Sequence, residues 1–530
     1  MVAANRLRGE RCATGSSPIE EFLSVSRSHV QTTTETPSSK HGMPQTAKPT
    51  GCEFPLDRRR AGILLHPTSL PSGTLGKDAY RFLDFLDHAG LRVWQVLPMG
   101  PTHEDGSPYL ALSAMAGDPG FIDLDILREQ GWLNDDEYPD HIHALHAARA
   151  GFIANADEAH RAAYRAFLDA NAEWLDDYVL FMALRQEQGN RPWWEWLPEL
   201  REREPRALKQ ARKRLSEVME QLRFEQFLFS SQWHALKAEA NARGILLFGD
   251  MPIFVSHDSA AVWTVPEVFD LDEHGHARHV AGVPPDYFSA TGQRWGNPIF
   301  DWEAMRKDDF AWWKRRMGKM LELYDFIRVD HFRGFEAFWS IPAEEETAMG
   351  GHWVKAPGKE LFEEFEKVFG RLPVVAEDLG IITPEVEALR DAFHLPGMKI
   401  LQFAFDGSPD NPYLPAHHTP NSVVYTGTHD NDTTLGWFQS LGEGTRQNVL
   451  QTLHCRAEDM PWALIEVSMQ SPACLAVVPL QDFLALDGTH RLNTPGTNNG
   501  SNWRWKFDWS QFPADLAERI CKLLAATQRV

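Results

Sequence analysis

Cysteine is scarce and scattered in this chain. Cys12, Cys52, Cys455, Cys474 and Cys521 are an odd number and include no Cys-x-x-Cys pair. That spacing excludes a disulfide framework and a zinc ribbon, and it points to a reducing, cytoplasmic compartment. Positive charge is also short: 52 Lys and Arg stand against 74 Asp and Glu, a formal charge of -22. This balance argues against a nucleic-acid partner, which requires clustered cations. No apolar run approaches the roughly 18 residues that cross a bilayer, and the N-terminus lacks the apolar core of a secretory signal, so no membrane partner is expected. Also missing are a glycine-rich phosphate loop after any strand-like run, an Asp-x-Asp-x-Asp-Gly calcium loop, a His-x-x-x-His pair and a repeat of about 20 to 50 residues. Neither a metal nor a cofactor is expected.

What remains is an ordinary soluble composition, 43% hydrophobic and 24% charged over 530 residues. Residues 1–58 are rich in Ser, Thr and Pro and hold nothing that could form a core, so they read as a disordered extension. Glu10, Glu20, Glu21 and Glu35 break the acid-poor pattern of an organelle transit peptide. The folded part is expected over 59–525. Short apolar runs read as buried strands at 61–65, 93–98, 245–250, 326–330, 374–378, 399–404, 422–427 and 475–480. Helical patterns separate several of them. Continuous apolar strands alternating with helices predict an α/β fold, a (β/α)8 TIM barrel with helical and loop insertions. An open doubly wound sheet is the alternative. Between about 140 and 240 aromatic and aliphatic residues recur at helical spacing, which predicts a mainly helical inserted subdomain. Trp193-Trp194-Glu195-Trp196 interrupts it, and reads as subdomain core more readily than as a sugar-facing loop.

Active sites of such barrels lie at the C-terminal ends of the strands. Several predicted strands end in polar groups: His66, Asp250, Asp330-His331, Glu377-Asp378, Thr428-His429-Asp430-Asn431-Asp432 and Gln481-Asp482. Their convergence on one rim predicts a carboxylate-lined pocket. In Arg328-Val329-Asp330, Arg328 and Asp330 share a strand face, so the cation keeps the carboxylate ionised. That stretch alone fits a nucleophile and a buried ion pair equally well. Glu377 follows the apolar Val374-Val375-Ala376, where desolvation favours a protonated carboxyl. One ionised and one protonated carboxyl are what glycoside chemistry requires. Tyr109, Tyr287, Phe288 and Trp295 in the loops would stack on sugars or pack the loops.

Arg328-Val329-Asp330-His331, Ala376-Glu377-Asp378-Leu379-Gly380 and Thr428-His429-Asp430-Asn431-Asp432 resemble the signatures of the 4-alpha-glucanotransferases, the amylomaltases or disproportionating enzymes of the alpha-amylase superfamily. Leu65-His66-Pro67-Thr68-Ser69-Leu70-Pro71-Ser72, Pro284-Pro285-Asp286-Tyr287-Phe288-Ser289 and Gln293-Arg294-Trp295-Gly296-Asn297-Pro298 are similar to further stretches of that family. The resemblance implies Asp330 as nucleophile, Glu377 as general acid/base and Asp430 as the third carboxylate. It implies that Arg328 orients Asp330, that His331 and His429 bond sugar hydroxyls, and that Tyr109, Asp286, Gln293, Trp295 and Asn493 line a glucan groove, with binding loops at about 250–300. The implied substrate is an alpha-1,4-glucan such as a maltodextrin, starch or glycogen, and the acceptor is glucose or a maltooligosaccharide. Asp118 stands where the family more often has Asn, Leu110 where Gln is common and Ala261 where Asp is usual. The carboxylates do not separate transfer from amylase-like hydrolysis, and a non-catalytic glucan-binding protein is the remaining class. Oligomeric state is not readable.

Overall fold

The described residues form twelve strands, in order β1 (Arg60–Leu64), β2 (Val93–Gln95), β3 (Leu246–Pro252), β4 (His279–Val283), β5 (Gln293–Pro298), β6 (Phe326–Asp330), β7 (Ala337–Pro342), β8 (His352–Lys355), β9 (Val374–Ala376), β10 (Gly397–Ile400), β11 (Ser422–Tyr425) and β12 (Leu475–Pro479). They come from a computed structural model that describes residues 54–285, 289–497 and 500–529. The expected extension therefore lies almost wholly outside the described residues, and so does Asp286.

Eight of these strands form one parallel sheet in the order β10-β11-β12-β1-β2-β3-β6-β9. Parallel neighbours need long crossovers, and the helices that make them cover the outer face. The first and last of these strands in the chain are partners, from Arg60↔Leu475 to Leu64↔Pro479. Between β9 and β10 the backbone ladder lapses, but the ring is closed there by other means. The Ala376 amide donates to the Pro396 carbonyl at 2.9 Å, and the Asp378 carboxylate accepts the Met398 amide at 2.7 Å. A Cβ on Gly397 would lie 2.2 Å from that carboxylate, so glycine is what lets Asp378 reach across. This closure starts β10 at Gly397, two residues before the run expected from its apolar pattern. Leu401–Phe403 then turns as a 3-10 segment instead of continuing the strand.

Alternate strand residues face inward or outward. Val93, Phe248, Phe326, Val375, Val423 and Val477 fill the barrel interior. Ile63, Trp94, Leu247, Ile327, Val374 and Val478 face the helices and belong to the larger core.

The stretch from 140 to 240 holds the helices His141–Asn155, Glu158–Glu187, Pro205–Arg214 and Ser216–Ala242. Phe152, Leu180, Phe224 and Phe227 belong to the same cluster as the outer barrel residues, so helices and barrel share one core. Two glutamines fasten the last helix to the loop after β2. Gln226 accepts from the Gly117 amide at 2.9 Å and donates to its carbonyl at 2.8 Å. Gln232 does the same for Asp123, at 2.7 and 3.0 Å. Trp193 and Trp196 are buried, in line with the core reading, while half-buried Trp194 stacks on His257 with ring centroids 3.9 Å apart.

A second, antiparallel sheet, β5-β4-β7-β8, is built from the segments that follow β3 and β6. The sequence reading contains no such sheet. Its strands are short, and Gly282 and Gly296 interrupt any alternation.

Candidate active site

The interior of the barrel changes from apolar to polar toward the C-terminal ends of its strands. Phe248 and Phe326, paired across β3 and β6, stack with centroids 4.2 Å apart. Two residues further along the same faces stand Asp250 and Arg328, again paired. Two more residues bring Asp330 to the rim. The alternation that buries Phe326 therefore also aims Arg328 and Asp330 at the same axis. Deeper in this layer the Tyr425 hydroxyl donates to Gln95 Oε1 at 3.0 Å.

Arg328 is divided between two carboxylates. Nη1 donates to Asp250 Oδ2 at 2.6 Å, and Nη2 pairs with Asp330 Oδ1. The Tyr109 hydroxyl also donates to Asp250 Oδ2, at 2.8 Å. The side chains of Asp250 and Arg328 are 0% and 6% exposed, whereas Asp330 is 29% exposed. Burial opposes the charge on Arg328, but Asp250 and Asp330 outweigh it and hold the guanidinium well above its ordinary pKa. Burial pushes Asp250 up to about 7 against the pull of Arg328. Asp330, by contrast, meets a fixed cation and open solvent.

Glu377 follows β9 where Val329 and Ala376 are paired, so it stands level with Asp330 on the adjoining strand. Its Oε2 accepts the His331 amide at 2.7 Å and its Oε1 the Leu379 amide at 3.0 Å. Burial, reinforced by the charge of Asp330, raises Glu377 to about 8, although Arg328 and the two amides pull the other way. His331 adopts a left-handed backbone conformation, with φ of 54°. That conformation is uncommon outside glycine, and here it precedes a 3-10 turn, Phe332–Phe335. It lets the chain leave β6 with an amide directed at Glu377. The His331 ring meets Trp295 edge to face at 4.8 Å. Its Nε2 is buried without a partner, and burial lowers its pKa to about 4, so the ring is neutral.

Asp430 lies across the rim on the loop after β11, with a side chain 46% exposed. Asn493 donates to its Oδ1 at 2.6 Å, and His429 Nε2 lies 3.4 Å from the same oxygen. Arg491 holds the backbone of this loop, donating to the Asp430 carbonyl at 2.7 Å. Tyr109 stacks on His429 with centroids 5.2 Å apart. Burial lowers the pKa of His429 as well. Gln293 accepts the Trp295 indole N–H at 3.2 Å.

The structure thus links Asp330, Glu377, Arg328, His331, Tyr109 and Trp295 in one network, and Asp430, His429 and Asn493 in a second that joins it through Tyr109. Two of the acids counted at the rim have other work. Asp378 closes the β9–β10 seam and pairs with Arg390 at 2.5 Å. Asp482 is buried and accepts from the Thr426 and Thr434 hydroxyls and the Thr434 amide, at 2.6, 2.6 and 2.7 Å. These two are better read as structural groups than as pocket lining. Sequence reasoning counts Asp250 among the rim acids but not its buried pairing with Arg328, and it gives no role to Arg491. It also passed over Tyr413, whose raised pKa comes mainly from burial with added repulsion from Asp378 and Glu377. Phe403, 38% exposed, packs against Tyr413. Among the described residues no group of three or more His, Cys, Asp or Glu is arranged to hold a metal, and no helix is long and apolar enough to cross a membrane.

Residues 64–511 match the family model described as 4-alpha-glucanotransferase. The chain is similar to the 4-alpha-glucanotransferase of Thermus thermophilus, 49% identical over 497 residues that cover 89% of this chain and 99% of the relative. It is equally similar to that of Synechocystis, 49% identical over 477 residues that cover 85% and 94%. Among solved structures, the amylomaltase of Streptococcus agalactiae in complex with acarbose superposes with a TM-score of 0.85, at 34% identity, over 89% of this chain and all of that one.

Proposed function

The chain belongs to the 4-alpha-glucanotransferase family, and from that footing we propose the roles its residues play in moving a segment of alpha-1,4-glucan onto the 4-hydroxyl of an acceptor sugar. Asp330 is the nucleophile, Glu377 the general acid and then base, and Asp430 the carboxylate that grips hydroxyls of the sugar being transferred. One observation carries the assignment: two carboxyls level on adjoining strands sit in opposite electrostatic surroundings. Asp330 is paired to a buried cation and partly open to solvent, while Glu377 is buried and titrates near 8.

In the first step an Asp330 oxygen attacks the anomeric carbon as the bond to the glycosidic oxygen breaks. That oxygen takes the Glu377 proton and leaves as a free 4-hydroxyl. In the second step Glu377 removes the proton of an acceptor 4-hydroxyl, whose oxygen attacks the same carbon and releases Asp330. One alpha-1,4 bond is broken and one formed, with net retention. The neutral rings of His331 and His429 and the amide of Asn493 supply hydrogen bonds to hydroxyls, and Tyr109 and Trp295 offer faces for sugar rings. Gln293 extends this lining, and Asp286, outside the described residues, takes the same role from the family resemblance alone. Side chains supply the whole reaction, so no cofactor enters it. Acceptors are glucose or maltooligosaccharides, and the scarcity of cysteine supports a cytoplasmic setting.

Incubation with maltotriose tests the reading. The expected products are glucose and a ladder of longer maltodextrins, and Asp330→Asn abolishes both. Shortening alone means hydrolysis. Activity retained by Asp330→Asn removes that residue from the nucleophile role.

A further inference from the structure

On the outer face of the second sheet, Trp353 is a large side chain left uncovered. It lies on β8, the edge strand, opposite Trp339 of β7, and it is 39% exposed. Its surroundings hold it still. The Arg333 guanidinium lies 3.7 Å from the centre of the ring, and the Trp339 ring meets it at 5.2 Å and 71°. Trp339 is fixed in turn by its indole N–H, which donates to the Ala348 carbonyl at 2.8 Å. Arg333 is itself 5% exposed. It donates to the Ile381 carbonyl at 2.6 Å and to that of Ala337 at 3.4 Å. With one face covered by a cation and an edge against Trp339, the exposure of Trp353 belongs to its remaining face. The ring is rigid, flat and half open.

Its place in the chain connects it to the catalytic rim. Arg333 stands on the turn directly after Asp330-His331, and Ile381 on the loop directly after Glu377. One guanidinium therefore ties together the loops that carry both reacting carboxyls, and Trp353 rests on it. A polar group borders the ring on its own face: Lys355, two residues further along β8, is exposed and pairs with Glu336. A single aromatic plane within a polar border matches the C–H face and hydroxyl edge of a hexose better than it matches a broad apolar protein interface.

We propose that Trp353 is a stacking platform for a glucose unit of an alpha-1,4-glucan running outward from the catalytic cleft. The platform rests on the glucanotransferase reading, and it makes the enzyme favour long chains over short ones. A maltotriose held at Asp330 and Glu377 is too short to occupy every outer position, whereas a longer chain reaches the ring.

The test compares kcat/KM for maltoheptaose with kcat/KM for maltotriose in the wild type, Trp353→Ala and Trp353→Phe. The ratio is expected to fall between about threefold and tenfold in Trp353→Ala, the scale of one lost stacking contact, and to be largely restored in Trp353→Phe. Retardation of the same proteins in native gels containing amylose reads binding without turnover and should weaken in the alanine variant. An unchanged ratio with unchanged retardation overturns the platform. So does a shift of Trp353→Ala to a smaller assembly in light scattering, which would make the ring a contact between copies. A wild type that retards on amylose but builds no longer products from maltotriose would instead count against the transferase reading, leaving the gel result to decide the platform.

Discussion

The backbone amide of His331 donates to Glu377 Oε2 at 2.7 Å, so the turn that follows one reacting carboxyl holds the other. The left-handed φ of His331 is what turns that amide. Glu377 is thus fixed by backbone, and its protonation is governed by burial and by Asp330, which together place it near 8. As a general acid it must carry its proton when the glucan binds. We expect kcat/KM for maltotriose to be flat through neutrality and to fall as pH rises past about 8. A profile that stays level to pH 10 would remove Glu377 from the acid role.

The same proton affects stability. Glu377 moves from an ordinary 4.5 to about 8 on folding. Between those values the folded state holds a proton that the unfolded chain has released, so this group's contribution to stability declines as pH rises through that window. In Glu377→Gln the slope is gone. The difference in Tm, variant minus wild type, should therefore grow more positive from pH 5 to pH 8. A difference independent of pH would contradict the raised value.

Asp250 acts on the reaction through Arg328. With both partners present the guanidinium is held as a fork, one arm on each carboxylate. Asp250→Asn keeps the shape but removes a charge from a fully buried site, and Arg328 is then free to swing toward Asp330. Displacements of about 1 Å near reacting atoms can cost on the order of a hundredfold. We expect kcat to fall by about that factor with KM for maltotriose little changed, because Asp250 is placed to touch Arg328 and Tyr109 rather than sugar. A proportional rise in KM would show that it binds substrate instead.

Gln226 is a stability residue. Truncation to Ala strands the buried amide and carbonyl of Gly117 at once. Each unsatisfied group costs about 1 to 3 kcal/mol, so denaturant unfolding should show a loss of roughly 2 to 6 kcal/mol. A loss under about 0.5 kcal/mol would mean the loop finds other partners.

Asn493→Ala leaves Asp430 Oδ1 without its amide donor and should lower kcat/KM by about tenfold, on the scale of one hydrogen bond to a charged group. The fold should survive, since the side chain packs no core. Wild-type kinetics in this variant would free Asp430 from dependence on the 491–493 segment.

Much of this architecture is legible in the sequence because buried parallel strands are written in continuous apolar runs. Ile327, Val329 and Val374 face the helices while Phe326 and Val375 face the axis, and either face demands the same residue types. The Arg328-Val329-Asp330 alternation even shows which side chains point together. Distances across the barrel are not written locally. Asp250 lies 78 residues before Arg328, and nothing in either stretch reveals their contact. Asp378 and Asp482 looked like pocket acids because an acid at a strand end reads alike whether it faces a sugar or a backbone amide. The second sheet was missed because Gly282 and Gly296 remove the alternation that marks a strand.

The pairing of β1 with β12 has a consequence for how the protein is made. Ribosomes add roughly 5 to 20 residues per second, so the strand beginning at Arg60 waits for tens of seconds before Leu475 exists to meet it. Until then one edge of the growing sheet stays open, a surface that invites pairing with other chains. The cleft cannot be assembled piecemeal either, since Tyr109, Asp330, Glu377 and Asp430 are spread over most of that interval and Asn493 follows it. Activity therefore arrives all at once, only after Asn493 has been made, and nascent chains cut short before β12 should be both inactive and prone to aggregate.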